Sequence, residues 1–126
     1  MAGELILIIE DNEKNRKLVR DLLQVKGYAT LESETAEEGL KLASEKSPDL
    51  ILMDIQLPGM DGIAALNALR ADVKTKDIPV MAVTASAMTH NRKTMLALGF
   101  DGYQTKPIGV KEFLGEIERV LGGRGK

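Results

Sequence analysis

Twice in this sequence a short, unbroken aliphatic run stops abruptly on a carboxylate: Leu5 to Ile9 runs into Glu10 and Asp11, and Leu50 to Met53 runs into Asp54. An apolar run without polar alternation fits a strand buried on both faces, as in the centre of a parallel sheet. Such strands need helices on either side, and the sequence between them supplies helix-length segments. Leu18, Val19, Leu22, Leu23 and Val25 recur at helical spacing and stop before Gly27. Tyr28 to Glu32 reads as a weaker strand whose mixed polarity suits a sheet edge. Thr35-Ala36-Glu37-Glu38 matches the capping box that opens a helix, with Leu40, Leu42 and Ala43 on its buried side.

The alternation continues to the end of the chain. Ser47-Pro48-Asp49 breaks the second helix, and the turn-rich segment from Gln56 to Gly62 leads into a third, marked by Ile63, Leu66 and Leu69. Pro79 opens Val80 to Val83, a fourth strand ending at Thr84. The spacing then predicts a weakly amphipathic helix over Met88 to Leu98. Gly102 to Thr105 reads as a fifth strand ending at Lys106 and Pro107. Val110, Phe113, Leu114, Ile117, Val120 and Leu121 form the clearest helical stripe. Regular alternation of strand and helix implies right-handed crossovers and a three-layer α/β sandwich around a parallel sheet. A chain of 126 residues is the size of one domain, expected over residues 1–122, with a flexible tail at 123–126 and no output domain.

Composition removes several classes of function. There is no cysteine, so disulfide frameworks, thiolate catalysis and cysteine-based metal sites are excluded. A formal net charge of −2 offers no general attraction to nucleic acid. No apolar run approaches the roughly 20 residues that span a bilayer, and no signal peptide precedes the first strand. A cytoplasmic protein that binds neither membrane nor nucleic acid is expected.

In open parallel sheets, ligands bind beyond the carboxyl ends of the strands. Those ends carry Glu10 and Asp11, Asp54, Thr84 and Lys106, while the second strand ends in nothing comparable, as an edge strand would. If the first and third strands are neighbours, three carboxylates converge. Two carboxylates about 4 Å apart repel by roughly 4 kcal/mol at an effective dielectric near 20, so a cation is expected among them. Oxygen donors without His or Cys suit Mg²⁺, and a carboxylate screened by such charge can accept a phosphoryl group as a nucleophile.

These residues resemble the receiver domains of two-component response regulators, over residues 4 to 121. Met53 to Gly62 is the most diagnostic stretch, and Glu10-Asp11-Asn12 with Asn15 is similar to the single-domain DivK-type cell-cycle regulators. The resemblance implies a flavodoxin-like (βα)5 fold with strand order 2-1-3-4-5, an order borrowed from the family. It implies that Asp54 takes a phosphoryl group from a histidine kinase or histidine phosphotransfer protein. It further implies that Asp11, Asp54 and the backbone carbonyl of Gln56 bind Mg²⁺, with Glu10 acting through a metal-bound water. Thr84 and Lys106 would contact the phosphoryl oxygens, Thr84 and Tyr103 would form the switch, and the Lys106–Pro107 peptide would be cis. The implied protein is a monomeric phosphoacceptor switch rather than an enzyme, assisting its own phosphorylation and dephosphorylation. It would signal to a downstream protein through helix four, strand five and helix five, where Met88, Met95, Phe100 and Tyr103 are candidate partner contacts.

Each residue also has a plainer reading. Glu10 and Asp11 could cap a helix, Asp54 could sit in a turn, and Thr84 could fill a strand end. Phe100 could be packing beneath a loop instead of an exposed anchor, and the methionines could be core filler. His90, the sole histidine, is expected to face solvent in helix four. A receiver excised from a hybrid kinase would look the same. An aspartyl-phosphate phosphatase is less favoured because it would need a second acid two residues after the nucleophile, where Gln56 stands.

Overall fold

The computed structural model describes residues 3–123. The element order is β1 (Leu5–Ile9), α1 (Glu13–Val25), β2 (Ala29–Ser33), α2 (Ala36–Lys46), β3 (Leu50–Asp54), α3 (Gly62–Ala71), β4 (Val80–Thr84), α4 (Arg92–Leu98), β5 (Gly102–Thr105) and α5 (Val110–Gly123). The five strands form one parallel sheet in the order β2-β1-β3-β4-β5.

The aliphatic runs are buried on both sides because successive side chains point to opposite faces. Ile6 and Ile8 of β1, Leu50 and Leu52 of β3, and Met81 and Val83 of β4 join Val19 and Leu23 of α1 and Phe113, Ile117 and Val120 of α5. Leu7, Ile9, Ile51, Met53, Val80 and Ala82 pack on the other face against Ala36 and Ala43 of α2, Leu66 and Leu69 of α3, and Met95 of α4. Each core holds one pair or trio of helices on the sheet.

Capping sets where the helices begin. The side chains of Asn12, Thr35, Asp61 and Asn91 accept from the backbone N–H groups of Asn15, Glu38, Ala64 and Thr94, opening α1, α2, α3 and α4. The Asn91 cap corrects the expected helix over Met88 to Leu98: α4 starts only at Arg92, and Ala87 to Thr89 form a turn. The second strand lies one residue later than Tyr28 to Glu32. Leu40 and Leu42 are only half-buried, while Leu18 and Val25 face solvent, so α1 buries Val19 and Leu23 alone. Gly123, the first residue of the expected tail, continues α5, and residues 124–126 lie outside the described residues. Among the described residues, no helix is long and apolar enough to cross a membrane.

Candidate functional site

Register alone brings the strand ends together. Ile9 pairs with Met53, so the next residue on each strand, Glu10 and Asp54, stand side by side. Thr84 pairs with Thr105, so Lys106 follows one step beyond, its N–H donating to the Thr84 carbonyl at 2.8 Å. The period of two also sorts these groups by face. Glu10 and Asp54 line one small apolar-walled recess with Ile8, Val19, Leu52 and Val83 on the α1 and α5 side.

Within that site Glu10 and Asp54 are nearly sequestered, 5% and 4% exposed, and Asp11 is exposed. One oxygen from each of these three carboxylates lies within 4.8 Å of the others. The Lys106 ammonium sits 2.7 Å from Glu10 Oε1 and 3.3 Å from Asp54 Oδ2. The remaining oxygens are held by backbone: Asn12 N donates to Glu10 Oε2 at 3.1 Å and Gln56 N to Asp54 Oδ1 at 3.1 Å. Burial, reinforced by the charge of Asp54, holds the Glu10 carboxyl above its ordinary pKa, although the Lys106 hydrogen bond pulls the other way. Burial also acts to lower the Lys106 pKa, but the hydrogen bond to Glu10 and the charges of both carboxylates outweigh it and the ammonium is stabilised.

The donor set fits a hard divalent cation, since the clustered donors are carboxylate oxygens without His or Cys and their mutual repulsion favours a bound positive charge. Gly62 lets α3 approach closely enough to back the strand end: a Cβ there would lie 2.7 Å from the Asp54 carbonyl oxygen and 2.8 Å from Ile55 Cα. The Lys106–Pro107 peptide is cis.

Thr84 is fully buried at the end of β4. Its hydroxyl accepts from Ser86 N at 3.0 Å, and Ser86 Oγ accepts from Gln56 Nε2 at 3.1 Å. His90 is not in a helix and does not simply face solvent: its half-buried ring places Nδ1 3.5 Å from Thr84 Oγ1, and its backbone N–H donates to the Ser86 carbonyl at 2.7 Å. Tyr103 lies on the same core as Met95 and Phe100, with the Arg92 guanidinium 5.5 Å from its ring centre. Arg92 also reaches Glu116 on α5 at 3.1 Å, and Glu116 accepts the Tyr103 N–H at 2.9 Å.

The expected partner contacts need correction. Met95 and Phe100 are core residues, Phe100 only 3% exposed, and Tyr103 is buried beside them, whereas Met88 is 97% exposed. Gly99 explains the difference. Its left-handed backbone, φ 111°, ends α4 and turns the chain inward, so that Phe100 N bonds back to the Met95 carbonyl. Sequence reasoning missed Arg16, which donates to the Glu10 carbonyl at 2.9 Å and bonds Glu32 at 3.3 Å. Its signal is tertiary, because its acceptors lie on a neighbouring strand end and the sheet edge.

A five-stranded doubly wound parallel sheet carries an acidic cluster and a lysine at the carboxyl ends of its strands, and comparison with known proteins places this fold in a family. The response regulator receiver domain family matches residues 6–118, and the chain belongs to that family. It is therefore a receiver domain of two-component signalling. The chain is 44% identical to the polar-differentiation response regulator DivK of Brucella ovis over 117 residues, 93% of this chain and 95% of that protein. The receiver domain of the sensor histidine kinase PA1611 from Pseudomonas aeruginosa PAO1, solved with a magnesium ion coordinated in its active site cleft, is similar in structure. Its TM-score is 0.88 at 31% identity, covering 97% of this chain and 100% of that one. The chemotaxis protein CheY4 of Vibrio cholerae is also similar, with a TM-score of 0.85 at 26% identity over 94% of this chain and 99% of that one.

Proposed function

We propose that this receiver accepts a phosphoryl group on Asp54 from the phosphohistidine of a histidine kinase or phosphotransfer protein, and that the modification switches binding of a downstream protein. The observation that carries this reading is the gathering of Glu10, Asp11 and Asp54 within 4.8 Å of one another, with the Lys106 ammonium against two of them. An Asp54 carboxylate oxygen attacks phosphorus, a P–O bond forms, the P–N bond breaks, and the imidazole of the donor leaves. Asp11, Asp54 and the Gln56 carbonyl would hold Mg²⁺, with Glu10 contributing through a water. When bound, the ion supplies positive charge that screens the carboxylates from the incoming phosphate. Lys106, already oriented by Glu10, donates from its ammonium to one phosphoryl oxygen, and the Thr84 hydroxyl, which now accepts from Ser86 N, donates to another.

The switch follows from differential contacts. A phosphoryl group adds about −1.5 to −2 charge at pH 7 and draws Thr84 and Lys106 toward it. Displacement of Thr84 is felt by Tyr103, which sits one strand over on the core shared with α4, and so by the surface of α4, β5 and α5. The chain acts as a phosphoacceptor in the cytoplasm that assists its own phosphorylation and dephosphorylation, rather than as an enzyme turning over a separate substrate.

Intact-mass measurement with a small phosphodonor and Mg²⁺ tests the reading. The parent protein is expected to gain the mass of one phosphoryl group, and Asp54→Asn or a chelator to abolish the gain. Equal gain in Asp54→Asn, or indifference to the chelator, would overturn it.

A further inference from the structure

The segment that carries two of the clustered carboxylates is anchored by a side chain outside the cluster. Arg16 of α1, 14% exposed, donates from Nη1 to the Glu10 carbonyl at 2.9 Å and to the Asp11 carbonyl at 3.5 Å, and from Nε to Glu32 Oε1 at 3.3 Å. Glu32 belongs to β2, paired in register with Ile8 of β1, and its other oxygen accepts from Arg20 Nη1 at 2.8 Å. Glu10 N donates to the Ser33 carbonyl at 3.0 Å, tying the same turn to the same edge strand.

We propose that Arg16 is a positioning residue for the divalent-cation site: it fixes the Glu10-Asp11 backbone against β2, so that both carboxylates stand beside Asp54 before an ion arrives. The inference rests on the cation reading given above. Three carboxylates this close repel one another, and Asp11, exposed at the end of a strand, is the one free to swing away. A guanidinium spanning two successive carbonyls opposes that relaxation, and its planar fork can hold a carboxylate at the same time, which a lysine ammonium cannot do with equal geometry. The Arg16 side chain does not serve its own helix here, since its acceptors lie just beyond the end of β1 or on β2. A site held in its binding geometry avoids the ordering cost on association.

The test uses the whole chain with Arg16→Met, Arg16→Lys and Glu32→Gln, measuring Mg²⁺ dissociation constants by calorimetry alongside urea stability without Mg²⁺. Removing an outer partner of metal ligands typically weakens affinity about 10- to 100-fold, and an indirect backbone anchor belongs at the lower end. Arg16→Met is expected to bind Mg²⁺ about tenfold more weakly while remaining folded, Arg16→Lys to recover part of the loss, and Glu32→Gln to weaken binding in the same direction by less. In ion-free protein, the Asn12 amide, bonded to Glu10 Oε2, is expected to lose hydrogen-exchange protection in Arg16→Met. Unchanged Mg²⁺ affinity in folded Arg16→Met overturns the inference alone. If Arg16→Met does not fold, unchanged affinity in Glu32→Gln overturns it. A parent protein that binds no Mg²⁺ overturns the cation reading and this inference together.

Discussion

At position 62 there is room for a hydrogen and nothing larger. Gly62 N donates to the Ile55 carbonyl at 3.0 Å, and a Cβ would meet the Asp54 carbonyl oxygen and Ile55 Cα, both backbone atoms that cannot rotate aside. Alanine is the better helix former by about 1 kcal/mol, but overpacking a fixed backbone typically costs about 1–3 kcal/mol. Gly62→Ala is therefore expected to lower stability by up to about 2 kcal/mol in urea unfolding, and a stabilised variant would mean that the loop after β3 yields. Of the two readings of Phe100, exposed anchor or packing beneath a loop, the structure bears out the second. The direction of the chain after Gly99 decides the exposure of Phe100, and Asp101 N reaching the Val80 carbonyl at 2.7 Å holds that direction.

Among the elements, α4 and α5 are joined across β5 by one carboxylate. Glu116 accepts from Arg92, from Arg119 and from the Tyr103 N–H. Burial works against its charge, but these hydrogen bonds prevail and bring its pKa down from 4.5 to about 2. A carboxyl depressed in the folded state contributes stability that is complete above its unfolded pKa and is lost as pH falls through the folded value, here between about 4.5 and about 2. The full shift would correspond to about 3 kcal/mol, reduced to about 1–2 kcal/mol because both arginines are half in solvent. Glu116→Gln is expected to lose that amount at pH 7 and to show a shallower decline in urea stability between pH 5 and pH 2.5. Parallel pH profiles for parent and variant would contradict this. The length of α4 was not legible from periodicity, because Met88 to Leu98 carries too few apolar positions to fix a start, and the Asn91 cap decided it.

Across the whole molecule, the sheet was the legible part. Leu5–Ile9, Leu50–Met53 and Val80–Val83 announce themselves as strands because a two-sided burial leaves no room for polar alternation. The order β2-β1-β3-β4-β5 came from family likeness, since periodicity says nothing about which strand lies beside which. The chemical groups at the strand ends could be named for the same reason the strands could: each terminates a run. Arg16 and His90 could not, because their partners are set by packing of separate elements, and neither residue type nor spacing signals it. The central claim is that the gathered carboxylates make Asp54 the phosphoryl acceptor. Reductive trapping tests it most directly, because borohydride converts an acyl phosphate to an alcohol that peptide mapping can locate. After phosphodonor and Mg²⁺, the trapped modification is expected on Asp54 and to be missing with chelator. Trapping at any other carboxylate, or at Asp54 regardless of Mg²⁺, would contradict the account.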